Sequence, residues 1–125
     1  MTAIVGTLIR NNIVYGNTGH GIITTGATTP QNKGLTEDYN ALGSNTAGNY
    51  SSLTGGAHDV LLTANPFTNS SSGDYSLNAT PGGGAACKGV GYPGTFPGGT
   101  STGHLDIGGV QSTGSAGLAN YAFFS

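Results

Sequence analysis

Short apolar runs, split by Gly, Asn and Pro, set the pattern of this chain. They predict strands over Thr7–Tyr15, Gly21–Thr25, Leu35–Leu42, Asp59–Thr63, Tyr75–Leu77 and Leu105–Val110. No segment carries apolar residues at helical spacing over three turns, so very little helix is expected. Ala85-Ala86-Cys87 is too short and too closely flanked by Gly to hold one. The first run also has an echo. Aligning Gly16 with Gly43, 27 residues later, places Leu8 over Leu35, Arg10 over Glu37, Asn11 over Asp38 and Tyr15 over Leu42. A fixed period in the twenties is what stacked supersecondary units leave in sequence.

Alternation puts Ile9, Asn11, Ile13 and Tyr15 on one face of the first strand. An Asn there makes sense if Asn side chains stack in register, each amide bonding the next. Asn11 is then expected beside Asp38. Arg10 is expected beside Glu37, ~4.8 Å away in the pairing direction, and as a surface pair it would contribute at most ~1 kcal/mol. Gly82 to Gly103 shows no strand signal and is longer than an ordinary connection. It is expected to be a lateral loop pinned by Tyr92 and Phe96. Residues 112–125 form an aromatic tail, in which Leu118, Tyr121, Phe123 and Phe124 need burial.

Composition narrows the function classes. Only 6% of the residues are charged, and 24 of 125 are Gly. Disorder usually comes with higher net charge and fewer β-branched residues. The net charge is −2 with three basic residues, so no basic patch exists to displace counterions from nucleic acid. No apolar run approaches the ~20 residues of a membrane span. Met1-Thr2-Ala3-Ile4-Val5 has neither the basic nor the apolar region of a signal peptide. Cys87 stands alone, fits no disulfide or metal spacing, and reads as a small buried residue. The sequons at Asn49, Asn69 and Asn78 are what chance gives in so Asn- and Ser-rich a chain.

Several segments carry a family resemblance. Asn11-Asn12-Ile13-Val14-Tyr15-Gly16-Asn17 with Gly21-Ile22 resembles a coil of the right-handed parallel β-helix proteins of the pectin-lyase-like superfamily. Asp38-Tyr39-Asn40, Gly56-Ala57-His58-Asp59-Val60, Asn65-Pro66-Phe67, Gly73-Asp74-Tyr75-Ser76-Leu77 and Leu105-Asp106-Ile107-Gly108-Gly109-Val110-Gln111 resemble the C-terminal end of such domains. The resemblance spans Leu8–Gln111. It implies an all-β fold: a short single-stranded β-solenoid of about four to five coils. Residues 1–111 would form the coils, with 82–103 as the lateral loop, and 112–125 a docking or capping tail. Family members usually have more coils and an N-terminal capping helix. Catalytic members cluster Asp residues around Ca²⁺ beside an Arg or Lys base, or pair them on one sheet face. None of these features is matched here.

The candidate chemistry is thin. Glu37 and Asp38 are adjacent and point to opposite faces of a strand. Glycoside hydrolysis needs two carboxylates flanking one bond, and only stacking of Asp38 near Asp59 or Asp74 could supply them. Asp38, Asp59, Asp74 and Asp106 read more simply as residues bonding turn amides. His20, His58 and His104 each sit beside a Gly or a turn, at spacings without a metal signature. His58-Asp59 is no dyad, since strand neighbours diverge. Tyr15, Tyr39 and Tyr75 are expected to pack the coil interior or its turns, while Tyr50 and Tyr92 are the candidates for glycan contact.

The expected function is therefore a non-catalytic structural subunit without metal or cofactor. It would assemble through uncapped ends, with Ile4, Val5, Leu118, Tyr121, Phe123 and Phe124 docking a homo-oligomer or larger lattice. A phage virion component (capsid decoration, spike or fibre) or an extracellular surface filament fits best. The alternatives are the C-terminal piece of a polysaccharide lyase or hydrolase, and a carbohydrate-binding module. No nucleic-acid or membrane partner is expected.

Overall fold

The computed structural model describes residues 7–24, 35–95 and 102–112, and it is all-β. In chain order the strands are β1 (Thr7–Ile9), β2 (Ile13–Tyr15), β3 (His20–Ile23), β4 (Leu35–Glu37), β5 (Ala41–Gly43), β6 (Gly48–Ser51), β7 (Val60–Leu61), β8 (Phe67–Asn69), β9 (Asp74–Leu77), β10 (Pro93–Thr95) and β11 (Thr102–His104). A single α-helical turn, α1, covers Gly84–Cys87, and a 3-10 turn covers Ser70–Ser72.

The first six strands form two stacked layers. β1 pairs with β4, β2 with β5 and β3 with β6, all parallel. Thr7 faces Leu35, Ile13 faces Ala41 and His20 faces Gly48, so the layers are offset by 28 residues rather than 27. Left-handed backbone at Asn11 (φ 58) breaks the predicted Thr7–Tyr15 strand into two. Asn tolerates this conformation better than most side chains. Tyr39, 28 residues on, repeats it at φ 60, and Gly16 (φ 78) is repeated by Ser44 (φ 53).

Amide ladders tie the layers together, at neighbouring residues to the one expected. Asn12 donates from its backbone and its side chain to Asn40 Oδ1, both at 3.0 Å. Asn17 does the same to Asn45 Oδ1, at 3.1 and 2.9 Å. Asn40 Nδ2 returns a bond to Ile9 O at 3.0 Å, and Asn45 Nδ2 returns one to Val14 O at 2.9 Å. Both acceptor residues are buried, and full pairing removes the cost of burying an amide.

Among the described residues, parallel stacking continues only through β7, which pairs Val60 with Ala41 and Leu61 with Leu42. Beyond it, β8–β9 and β10–β11 are antiparallel hairpins, in place of the further uniform coils expected. β5 is buried at all three residues, as a strand covered on both faces should be. Ala41 joins Leu62, Cys87 and Ile107 in the core, with Ile13, Tyr15, Val60 and Leu77 packed against them.

Three local expectations are corrected. The Gly82–Gly103 segment holds a strand, β10, because it finds β11, and Ala85-Ala86-Cys87 does hold a helical turn, α1, whose start is fixed by Asn78 Oδ1 accepting the Gly84 N–H at 2.9 Å. Tyr92 does pin the segment, donating its backbone N–H to Asn11 Oδ1 at 2.7 Å. Phe96 lies outside the described residues. Leu105–Val110 is a bend rather than a strand. There Asp106, 4% exposed, accepts the Gly89 N–H at 2.8 Å and the Ser112 N–H at 2.7 Å. The Gln111 side chain closes the bend on the Asp106 backbone. Among the described residues, no helix is long and apolar enough to cross a membrane.

Candidate functional site

The corner joining β4 to β5 gathers most of the chemistry. Its left-handed residue is Tyr39, an aromatic in a conformation that costs of order 1–3 kcal/mol. Three ring contacts offset the strain. The His58 ring stacks on Tyr39 with centroids 4.3 Å apart and planes 7° apart. Tyr92 meets Tyr39 edge-on at 5.4 Å, and His104 lies 6.2 Å away at 29°. The Arg10 guanidinium sits 3.7 Å from the centroid of the Tyr92 ring, a cation–π contact that also rigidifies the tyrosine.

Asp38 anchors His58. Its Oδ2 lies 2.7 Å from His58 Nδ1, and its Oδ1 accepts the backbone N–H groups of His58 and Tyr39 at 2.7 and 3.0 Å. Burial alone would raise the Asp38 carboxyl, but the His58 side chain and these amides outweigh it and hold it below its usual range. His104 is fixed likewise, Nδ1 to Gly91 O at 2.8 Å. Tyr39, His58, Gly89, Val90 and His104 line an open cleft of about 330 Å³.

Behind this cleft lies a second cluster. Asn40 Nδ2 donates to Glu37 Oε1 at 2.7 Å. The Gly56 N–H is shared between Glu37 Oε2 at 2.8 Å and Asp59 Oδ2 at 3.0 Å. Asp59 also accepts the Asn40 N–H at 2.8 Å and the Tyr50 hydroxyl. Burial, followed by the hydrogen bond with Asp59, pushes the Glu37 carboxyl up to about 7, against the pull of Asn40 and Gly56. Burial and Asp59 push the Tyr50 phenol well above its ordinary range. The two carboxyls converge on the one Gly56 N–H and are otherwise committed to protein donors, rather than flanking an open space. Glycosidase pairs instead stand ~5–9.5 Å apart.

The raised Glu37 carboxyl predicts a pH effect. Between about 4.5 and 7 the folded chain holds a proton that the unfolded chain has released, so stability falls as pH rises through this window. Denaturant titrations at pH 5 and pH 8 should show wild type less stable at pH 8. Glu37→Gln, which mimics the neutral acid, should flatten that difference.

The residues singled out from sequence scatter. Asn11 and Asp38 do not pair, nor do Arg10 and Glu37, because the 28-residue register puts Glu37 opposite Ile9 and brings the Asn11 N–H to Tyr39 O at 2.9 Å. The Tyr50 hydroxyl is committed to Asp59, and its ring is half-buried. Tyr92 is exposed and meets Tyr39 edge-on, and Tyr39 packs its turn while also lining the cleft. Ile4, Val5, Leu118, Tyr121, Phe123 and Phe124 lie outside the described residues. Asp74 bonds Ser76 in a hairpin. Burial raises the Cys87 thiol to about 11, which makes it unreactive at neutral pH. Among the described residues no group of three His, Cys, Asp or Glu could hold a metal ion.

The Asp38–His58 pair was missed from sequence. Its partners are 20 residues apart, and the only available signal was the layer register itself. Comparison with family models, curated proteins and solved structures returned no match, so nothing beyond the motifs quoted above identifies a pectin-lyase-like β-helix.

Proposed function

We propose that the chain is a short right-handed parallel β-helix acting as a non-catalytic structural subunit, which assembles through its first layer with further copies of itself. One observation carries this reading: among the described residues, β1, β2 and β3 each have a strand partner on one side only. The Gly108 and Tyr92 N–H groups cover their Asn11 corner. A parallel edge of three aligned strands is a template for another layer, and solenoids need a cap at such an end. Leu8 and Ile23 stand on this layer 49% and 57% exposed. Edges of this kind are normally blunted by charge, and only 6% of this chain is charged. A virion component or an extracellular filament is the setting such an assembly suits. The polysaccharide-lyase or hydrolase alternative draws no support from Glu37 and Asp59, whose carboxyls are committed to protein donors.

Light scattering on the full chain tests this. The mass should rise with concentration. Leu8→Lys with Ile23→Lys should weaken association at least tenfold, about 1.4 kcal/mol, with an unchanged far-ultraviolet spectrum. A wild type that stays a single chain at high concentration contradicts the proposal, as does a double variant that assembles equally well.

A further inference from the structure

The cleft beside Tyr39 has no part in that assembly. We propose that it binds the ring of a neutral pyranose sugar, with Tyr39 and Val90 framing the ring and His58 and His104 bonding its hydroxyls. The volume, about 330 Å³, lies at the small end of ligand clefts, which run from ~300 to 1,000 Å³. That is room for a ring or two rather than an extended chain.

The lining suits a molecule with an apolar face and polar edges. Val90, 40% exposed, gives an apolar wall. The stacked Tyr39–His58 slab, braced edge-on by Tyr92, forms a rigid platform, the amphipathic surface against which sugar C–H faces pack. Rigidity matters, because a platform already fixed loses little side-chain entropy on binding. Asp38 and Gly91 O supply that fixing from below, and Arg10 supplies it over Tyr92.

The imidazoles define the polarity. Gly91 O can only accept, so His104 Nδ1 donates to it. The Asp38 carboxylate likewise takes the proton on His58 Nδ1. Each neutral ring then presents Nε2 as an acceptor, and neither Nε2 has a partner among the described residues. Two such acceptors call for hydroxyl donors. A phosphate or carboxylate would bring more acceptors beside Asp38, in a chain of net charge −2.

Saturation-transfer NMR on the full chain, with methyl glucoside, galactoside and mannoside as probes, tests the proposal. At least one should receive saturation on its ring protons, with millimolar affinity. Val90→Trp fills the cleft without touching the layers. Tyr39→Asn removes the floor while keeping a residue that tolerates left-handed backbone. Each should weaken binding at least about tenfold, while Leu61→Ala, at an exposed position away from the cleft lining, should leave it intact. No transfer to any neutral pyranoside overturns the proposal. So does binding that survives Val90→Trp, or binding seen only with glucuronate or inorganic phosphate.

Discussion

Replacing Asn40 with Ala is expected to lower the unfolding free energy by about 3 kcal/mol, a large share of the 5–15 kcal/mol typical of a domain. Asn40 is fully buried between the two layers. Its Oδ1 takes both the backbone and the side-chain N–H of Asn12, and its Nδ2 serves Ile9 O, Glu37 Oε1 and Asp38 O. Truncation spares Ile9 O, which also accepts the Asp38 N–H at 3.2 Å. It strands the Asn12 N–H and strips a donor from Glu37. Each orphaned group costs about 1–3 kcal/mol, and the void left by the amide adds to that. Urea denaturation should show a lower midpoint at unchanged slope. Asn69→Ala, on the exposed β8–β9 hairpin, should change stability by no more than about 0.5 kcal/mol.

Gly43→Ala should cost as much or more, for a steric reason. Gly43 faces Tyr15 in the β2–β5 pair and is buried. A methyl there would lie 2.7 Å from Leu62 Cβ and 2.9 Å from Leu62 C, and closer still to Leu62 O. Leu62 cannot recede, since its N–H is bonded to Leu42 O at 2.8 Å and its side chain sits in the core with Cys87 and Ile107. Overpacking against fixed backbone costs about 3 kcal/mol or more, so thermal denaturation should shift down by roughly 10 °C. Gly19→Ala is the contrast. Nothing lies within 4 Å of its would-be Cβ, and the substitution should be neutral or stabilising by up to about 1 kcal/mol.

These two residues show what was legible in the sequence. Alternation and punctuation revealed an all-β chain, and the echo revealed stacked layers. Matching Gly16 to Gly43 set the register one residue short, because the two glycines serve different ends. Gly16 is left-handed, whereas Gly43 is there for want of space. The true counterpart of Gly16 is Ser44, which shares its left-handed backbone without sharing its side chain. Stacked Asn amides were foreseen, but one residue away, at Asn12–Asn40 and Asn17–Asn45. The Leu105–Val110 bend read as a strand because Leu105 and Ile107 alternate around an Asp that in fact turns inward. The cleft was the least legible part. It joins residues 39, 58, 90 and 104, whose meeting depends on the β10–β11 pairing and a left-handed tyrosine, neither of which leaves a local periodicity.

The 28-residue register underlies both amide ladders. Double-mutant cycles test it most directly, because only touching side chains couple. Alanine variants of Asn12 and Asn40, singly and together, should show a coupling of about 1 kcal/mol, the worth of one hydrogen bond. The corresponding cycle for Asn11 and Asp38 should show none beyond about 0.3–0.5 kcal/mol. Coupling between Asn11 and Asp38, with none between Asn12 and Asn40, would contradict the structure described here.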